Sequence, residues 1–248
     1  MRDRIVHHAV FSILNPLFET TFIFDSFSCR QGKGTHKGID KLRTMLRKVS
    51  GNNEIPCHIL KCDIRKFFQS VDHGLLLDML GRRIKDADTM DLIGKIVSSF
   101  EPGLPIGNLT SQLFANVYLS KLDHFVKQSL KVPFYIRYSD DFIIVDSSIE
   151  PLKVLLERIR VFLKNELRLE LHPSKVSFGK YQRGVDFLGY VQYPLYRRLR
   201  TKTKRRILKK VAEGINEQAL QSYLGVLSHA DSYKLAEQIK NQFWFNKK

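Results

Sequence analysis

The stretch "FYIRYSDDFIIVDS", residues 134–147, places two adjacent aspartates, Asp140 and Asp141, between two apolar runs. The runs predict two β-strands, and the polar residues between them predict a tight turn. Two like charges side by side repel each other, and burial increases that cost. A hairpin tip can hold both carboxylates only when they stay in water or share a cation. The alternative is that both are ordinary turn residues, since Asp suits turns and tolerates left-handed backbone.

A third aspartate favours the shared cation. Asp63 ends the apolar strand "HILKCD" (58–63), and two aromatic residues, Phe67 and Phe68, follow it. If this strand lies beside the hairpin, three carboxylates come together. Carboxylate oxygens suit Mg²⁺, and two metal ions about 3.5–4 Å apart activate the attacking oxygen and stabilise the leaving oxygen in phosphoryl transfer. The sequence therefore predicts two Mg²⁺ ions, with Mn²⁺ able to substitute.

The overall charge suits a nucleic-acid partner. The chain has 248 residues, of which 43% are hydrophobic, and a net charge of +16. This composition allows a folded core, and the basic excess favours a polyanion. No stretch approaches the ~20 apolar residues of a membrane-spanning helix, and the N-terminus has no signal-peptide pattern, so no membrane role is expected. The three cysteines form no CxxC pair, which favours free thiols in a reducing cytoplasm.

Helical and strand patterns alternate along the chain without an internal repeat. Amphipathic helices are predicted over 3–18, from Thr35, from Asp72, after the loop 101–112 and over 151–167. Short strands are predicted in "LELHPSKVSFG" and "VDFLGYVQY", and the chain is basic and helical from about residue 197. The mixture predicts an α+β fold in which an antiparallel sheet packs on helices.

Several segments resemble the motifs of reverse transcriptases, in the order of that family. "IRYSDDFIIV" resembles the Y-x-D-D hairpin, and "LKCDIRKFFQSVDH" resembles the first palm motif, an aspartate followed by two aromatics. "GLPIGNLTSQLFANVYL" resembles the loop and helix between them, and "LHPSKV" and "DFLGYV" resemble the two later palm motifs. "FSCRQGKGTHKGIDKL" resembles the fingers segment of bacterial group II intron-like enzymes, and "SYLGVLSHADSYKL" resembles their thumb.

The resemblance covers nearly the whole chain and implies a right-hand polymerase fold. It implies partial fingers at 1–51, a palm with the catalytic aspartates and some fingers elements at 52–195, and a short, basic helical thumb at 196–248. The implied activity is that of an RNA-directed DNA polymerase, which copies an RNA template from a DNA or RNA primer with dNTPs. The family's fingers begin well before "RDRIVHHAV", and no segment matches their triphosphate clamp, so the activity of this chain alone is left open.

Carried over position by position, the resemblance assigns the catalytic and metal-binding residues. Asp63, Asp140 and Asp141 would hold the two metal ions, and the backbone carbonyl of Ile64 would complete one site. Lys175 would stand near the leaving pyrophosphate as a proton donor or electrostatic stabiliser. A solvated surface lysine is the alternative for that position.

The resemblance also assigns residues to the nucleotide, primer and template. Phe68 would be a steric gate that clashes with a ribose 2′-hydroxyl and so favours dNTPs; an ordinary core Phe is the alternative. The nucleotide-binding residues are Phe67, Phe68, Ile106, Gly107 and Gln112. The primer- and template-binding residues are Arg30, Lys33, Lys37, Tyr138, Phe187, Leu188, Gly189, Tyr190, Arg197, Arg198 and Arg205. Basic residues of this kind give affinity without sequence information; a solvated loop and a plain hairpin are the alternatives.

The loop "PIGNLTSQ" departs from the usual family pattern at two positions. Most reverse transcriptases have Gln at the position of Ile106 and Pro at the position of Gln112. The variant found here resembles that of diversity-generating retroelements, whose enzymes misincorporate opposite template adenine and work with a small basic accessory protein. An Ile cannot hydrogen-bond the sugar of a nucleotide, which is expected to weaken discrimination. Neutral drift in a generic bacterial reverse transcriptase is the alternative.

Two other classes remain open on the sequence. One is a group II intron-like enzyme, for which a maturase domain would be expected after residue 248. The other is a non-catalytic, nucleic-acid-binding remnant of the polymerase fold. The intact aspartates Asp63, Asp140 and Asp141 argue against a remnant, because unused adjacent carboxylates would only repel each other.

Overall fold

The computed structural model describes residues 2–245 and divides into two compact units, which are described separately. The first unit comprises Met1–Gly38 and His58–Phe178, and the second comprises Ile39–Cys57 and Gly179–Lys248. The helices are α1 (Arg2–Glu19), α2 (Thr35–Val49), α3 (Phe67–Ser70), α4 (His73–Gly81), α5 (Ala87–Ser98), α6 (Leu109–His124), α7 (Ile149–Leu167), α8 (Thr201–Ala212), α9 (Glu217–Leu227) and α10 (Tyr233–Phe245). A short π-helix, Phe125–Ser129, continues α6.

The sheet of the first unit is built around the predicted hairpin. Its strands are β1 (His58–Asp63), β2 (Tyr135–Tyr138), β3 (Asp141–Asp146) and β4 (Ser177–Lys180), in the order β2-β3-β1-β4, and of β4 only Ser177 and Phe178 belong to this unit. Strand β3 pairs antiparallel with both β1 and β2, so the hairpin partner and the strand that ends in Asp63 flank it. The apolar run of β3 is buried because strands cover both its edges and helices pack against it.

Helix α7 packs against this sheet, and helix α6 lies in the core of the same unit. Helix α7 buries an apolar stripe at helical spacing, Leu152, Leu156, Ile159, Leu163 and Leu167, and it contacts β1 and β3. Helix α6 is buried over most of its surface and contacts α1, α4 and α7. A helix that is buried on nearly every side lies inside the core, and the positions of the residues at its two ends are therefore well defined.

The second unit has its own sheet and its own core. Strands β5 (Val185–Phe187), β6 (Tyr190–Gln192) and β7 (Arg197–Leu199) form an antiparallel sheet in that order. Helix α10 contacts α8 and α9, and the buried residues of these helices include Ile207, Val211, Leu220, Leu227 and Ile239. Residues 39–57 join this unit, for example through Tyr181, whose N–H donates to the carbonyl of Cys57 over 3.0 Å.

The α+β fold with an antiparallel sheet packed on helices, predicted from the sequence, is confirmed. Neither compact unit is one continuous stretch of the chain, and the three predicted domains stay a prediction. Over residues 2–245, no helix has the length and apolar character needed to cross a bilayer. The three cysteines are free, and Cys57 and Cys62 are buried.

Candidate active site

Strand pairing brings the predicted carboxylates to one end of the sheet. Asp63, the last residue of β1, pairs directly with Asp141, the first residue of β3. Asp140 precedes Asp141 in the β2–β3 turn. The expectation that the strand ending in Asp63 lies beside the hairpin is therefore confirmed.

The turn that carries Asp140 is held by the backbone. Ser139, at its start, has a φ of 56°, a left-handed conformation that costs energy for a residue with a side chain. Across the sheet, the N–H of Ile64 donates to the carbonyl of Asp140 over 3.1 Å. This bond joins the residue after Asp63 to the turn, so the two strand ends keep a defined spacing.

Burial raises the pKa of the hairpin carboxyls. The pKa of Asp141 is raised to about 6, chiefly by burial, and the charges of Asp63 and Asp140 add to the rise while Lys61 opposes it. The pKa of Asp140 is also raised, first by burial and then by Asp63. Oδ1 of Asp141 is buried and makes no hydrogen bond. An excess of buried negative charge is stabilised by a cation.

Two lysines lie against these carboxylates. Nζ of Lys175 is 3.0 and 3.1 Å from the two carboxylate oxygens of Asp63, and Nζ of Lys61 is 3.3 Å from Oδ2 of Asp141. The turn that carries Lys175 is held by its N–H, which donates to the carbonyl of His172 over 3.1 Å. The structure thus places Lys175 at the predicted site. Sequence reasoning missed Lys61, and its only signal was a charge inside an apolar strand.

The donor set suits a magnesium ion, although the side chains do not already form a metal-binding cluster. Among the described residues, no group of three or more His, Cys, Asp or Glu is arranged to hold a metal ion. Carboxylate oxygens are nevertheless the ligands that Mg²⁺ prefers, and the buried Oδ1 of Asp141 lacks any other partner. The predicted ligands Asp63, Ile64, Asp140 and Asp141 therefore fit the ion chemically and stay a prediction.

The predicted nucleotide-binding residues lie on two segments of the first unit. Phe67 is buried, and Phe68 is half-buried with its ring edge-on to that of Phe67 at 5.3 Å. Gly103 packs so tightly on the next segment that an added Cβ would lie 2.1 Å from the carbonyl oxygen of Phe68. The N–H of Leu104 donates to that oxygen over 2.6 Å. The loop that leads to Ile106 is thereby fixed to the backbone of the predicted steric gate.

The two unusual positions differ in exposure. Ile106 is 81% exposed, and Gly107 beside it is exposed with a φ of 107°. Gln112 is half-buried in the first turn of α6. Their contact with a nucleotide stays a prediction.

The basic residues of the Gly-rich loop, residues 28–38, make contacts within the protein. The guanidinium of Arg30 donates to Glu19 and to two backbone carbonyls, and its side chain is only 6% exposed. Nζ of Lys33 lies 3.4 Å from the centroid of the Phe24 ring, and Nζ of Lys37 donates to the carbonyl of Gly32. Arg30 therefore holds the loop in place, and template contacts by these residues stay a prediction.

The predicted primer-binding residues Phe187, Leu188, Gly189 and Tyr190 form a hairpin turn and its flanking strand ends in the second unit. Leu188 and Gly189 join β5 to β6, and both have positive φ, as a two-residue hairpin of this type requires. Phe187 and Tyr190, on either side, are buried and paired. The remaining residues divide by exposure: Arg197 is buried, whereas Arg198 and Arg205 are exposed. Tyr138, in the first unit, is half-buried, with its hydroxyl 3.3 Å from that of Thr35.

An antiparallel sheet that packs on helices and carries aspartates at the ends of neighbouring strands has the form of a nucleic-acid polymerase palm. Solved structures share this fold: telomerase from Candida albicans in complex with the TWJ fragment of telomeric RNA has a TM-score of 0.60 at 13% identity, over 96% of this chain and 46% of that one. Apo telomerase from Candida tropicalis, truncated from the C-terminal domain, has a TM-score of 0.59 at 14% identity, over 79% and 45%.

Sequence comparison gives the family. The profile "Reverse transcriptase (RNA-dependent DNA polymerase)" matches residues 1–192, and the chain belongs to this family. It is 24% identical to the group II intron-encoded protein LtrA of Lactococcus lactis subsp. cremoris, over 98% of this chain and 51% of LtrA. It is also 24% identical to protein YkfC of Escherichia coli, over 77% of this chain and 60% of YkfC. The chain spans about half to three fifths of these curated relatives.

Proposed function

We propose that the chain acts in RNA-directed DNA synthesis, in which a primer is extended on an RNA template with dNTPs. The observation that carries this proposal is the direct pairing of Asp63 with Asp141, beside Asp140 in the turn. Family membership supports it, because reverse transcriptases generally use divalent metal ions. The net charge of +16 supports a nucleic-acid partner.

The carboxylates and lysines of the site have complementary tasks in this proposal. Asp63, Asp140 and Asp141 would hold two Mg²⁺ ions, which when bound activate the primer hydroxyl and stabilise charge on the leaving pyrophosphate. Lys175 and Lys61 neutralise Asp63 and Asp141 in the protein by itself. Because Lys175 is exposed, its ammonium can leave Asp63 and stabilise or protonate the pyrophosphate.

Primer extension on an RNA template with Mg²⁺ or Mn²⁺ tests the proposal. Asp140→Asn is expected to abolish extension while it leaves the fold and RNA–DNA binding nearly unchanged. Asp146→Asn is the matched control, since Asp146 lies at the other end of β3 and is expected to retain extension. Equal extension by Asp140→Asn and the parent removes the catalytic assignment of Asp140, whereas no extension by the parent favours a nucleic-acid-binding remnant.

A narrower role in a diversity-generating retroelement is favoured by one feature, the paired presence of Ile106 and Gln112. The exposed Ile106 offers a nucleotide shape but no hydrogen bond. One hydrogen bond is worth on the order of 1 kcal/mol, or several-fold in discrimination. This role includes a template RNA, a small basic accessory protein and a cytoplasmic location. The free thiols support the cytoplasmic location.

Sequencing of cDNA made on an RNA of mixed sequence tests the narrower role. Ile106→Gln is expected to lower errors several-fold. Errors opposite template adenine are expected to fall more than errors opposite the other bases, and this part of the expectation comes only from the resemblance to diversity-generating retroelement enzymes. Any accessory protein that the chain needs is supplied in the assay. If the parent copies adenine as accurately as the other bases, the narrower role fails and a generic or group II intron-like reverse transcriptase remains.

A further inference from the structure

A buried ion pair lies directly behind the catalytic turn. Arg137 in β2 and Asp123 in α6 have fully buried side chains. Nε of Arg137 donates to Oδ1 of Asp123 over 2.7 Å, and Nη2 donates to Oδ2 over 2.6 Å. The hydroxyl of Tyr135 also donates to Oδ1, over 2.7 Å. A bidentate ion pair of this kind fixes the plane of the guanidinium.

The rest of that guanidinium reaches the turn itself. Nη1 of Arg137 donates to the carbonyl of Ser139 over 3.1 Å and to Oδ1 of Asn116 over 3.3 Å. Ser139 is the left-handed residue immediately before Asp140. A strained backbone conformation persists only where its surroundings enforce it, and here a buried donor enforces it.

The same arginine also ties the turn to the chain that precedes the Gly-rich loop. Nη2 donates to Oγ of Ser26 over 3.1 Å. The N–H of Arg137 donates to the carbonyl of Asp25, and its carbonyl accepts from the N–H of Phe27, both over 3.0 Å. Residues 25–27 therefore lie along the outer edge of β2, and one side chain links them to α6 and to the turn.

We propose that Arg137 is a positioning residue. It fixes the position of the Ser139–Asp140 turn so that the carboxylates of Asp63, Asp140 and Asp141 converge on the metal ions. This role rests on the proposed function. A lysine keeps the charge opposite Asp123, but it has no planar fork with which to hold Asp123 and the Ser139 carbonyl together. The role is therefore lost in Arg137→Lys, although the buried carboxylate keeps a cation.

The matched control is Tyr135→Phe. It removes one hydrogen bond from the same Asp123 and leaves the bond from Arg137 to Ser139 intact. A merely structural network predicts that both variants affect the site in proportion to their loss of stability. A positioning role predicts that only Arg137→Lys disturbs the turn.

Hydrogen exchange of the Ile64 amide reports the position of the turn, because this N–H donates to the carbonyl of Asp140. Its exchange rate is measured relative to that of the Leu60 amide in the middle of β1. Global destabilisation raises both exchange rates equally and leaves their ratio unchanged. Arg137→Lys is expected to raise the relative rate about tenfold. The same substitution is expected to weaken Mn²⁺ binding about tenfold, as measured by electron paramagnetic resonance. It is also expected to slow primer extension about tenfold. Tyr135→Phe is expected to change each less than about twofold.

Unchanged Ile64 exchange and Mn²⁺ affinity in Arg137→Lys overturn the proposal, as do equal changes in Tyr135→Phe. If Arg137→Lys does not fold, Ser26→Ala, which removes only the bond to Nη2, is expected to raise the relative Ile64 rate about threefold. No rise in that variant also overturns it. If the parent does not extend a primer, the proposed function fails, and the Ile64 exchange rates still decide whether Arg137 positions the turn.

Discussion

The raised pKa of Asp141 predicts an inverse dependence of stability on pH when no divalent metal is bound. In the folded protein the pKa is about 6, against an ordinary value of 3.8, because the carboxyl is buried near Asp63 and Asp140. The folded state therefore binds a proton more tightly than the unfolded state does. Stability from this group is fully present below pH 3.8 and is lost as the pH rises through about 6.

The size of the effect follows from the two pKa values. A rise from 3.8 to about 6 corresponds to a total of about 3 kcal/mol. As the pH rises from about 4.5 to 7.5, roughly 2 kcal/mol of this stabilisation is lost. The remainder of the total of about 3 kcal/mol has already been lost below about pH 4.5. The side chain of Asp141 is 24% exposed, so solvent screening reduces the figure only modestly.

Urea unfolding of the parent and of Asp141→Asn, with a chelator present, measures this term. The asparagine cannot titrate. The free energy of unfolding of Asp141→Asn is therefore expected to rise by about 2 kcal/mol relative to that of the parent between about pH 4.5 and 7.5. Asp146→Asn on the same strand is the control, and its difference from the parent is expected to stay smaller. Parallel curves for the parent and Asp141→Asn would refute the reasoning. Added Mg²⁺ is expected to reduce the slope, since a cation favours the charged carboxylate.

Three other substitutions, two of them paired with a control variant, test single contacts. Phe68→Ala is expected to raise the incorporation of rNTPs relative to dNTPs in primer extension, and an unchanged ratio would show that Phe68 is only a core residue. Gly103→Ala, whose Cβ would lie 2.1 Å from a carbonyl oxygen, is expected to lower the free energy of unfolding in urea by about 1–3 kcal/mol. Its control, Gly94→Ala in open space on α5, is expected to raise that free energy by up to about 1 kcal/mol. Arg197→Lys is expected to cost about 1–3 kcal/mol in the second unit and the exposed Arg198→Lys less than about 0.5 kcal/mol; equal costs would contradict the contacts of Arg197.

The convergence of the aspartates was predictable because it depends on strand ends. Asp63 ends one apolar run and Asp141 begins another, and a tight turn fixes the register of the hairpin. The amphipathic helix predicted over 151–167 was likewise visible in its spacing, and the structure extends it to Ile149–Leu167. Features encoded by local period and by turn chemistry can be read from one sequence.

The roles of the arginines were not predictable, because burial of a charge depends on partners distant in the sequence. Arg137 interrupts the short strand "YIRY" and looks like a solvent-facing residue, yet Asp123 and Ser26 enclose it. Arg30 lies in a basic loop that suggests phosphate, but its partner Glu19 lies on α1. Composition shows how many cations a chain has and does not show which of them are already paired.

The discontinuous make-up of the second unit has a consequence for biosynthesis. Residues 39–57 leave the ribosome early, but Arg197, which donates to Asp40, follows 157 residues later. At about 5–20 residues per second, the interval is roughly 8–30 s. During that interval, the apolar face of α2, with Ile39, Leu42 and Leu46, has not yet met the rest of its unit. A nascent chain stalled before residue 179 is therefore expected to expose a helix that chaperones bind and proteases cut, and release of the full chain is expected to abolish both.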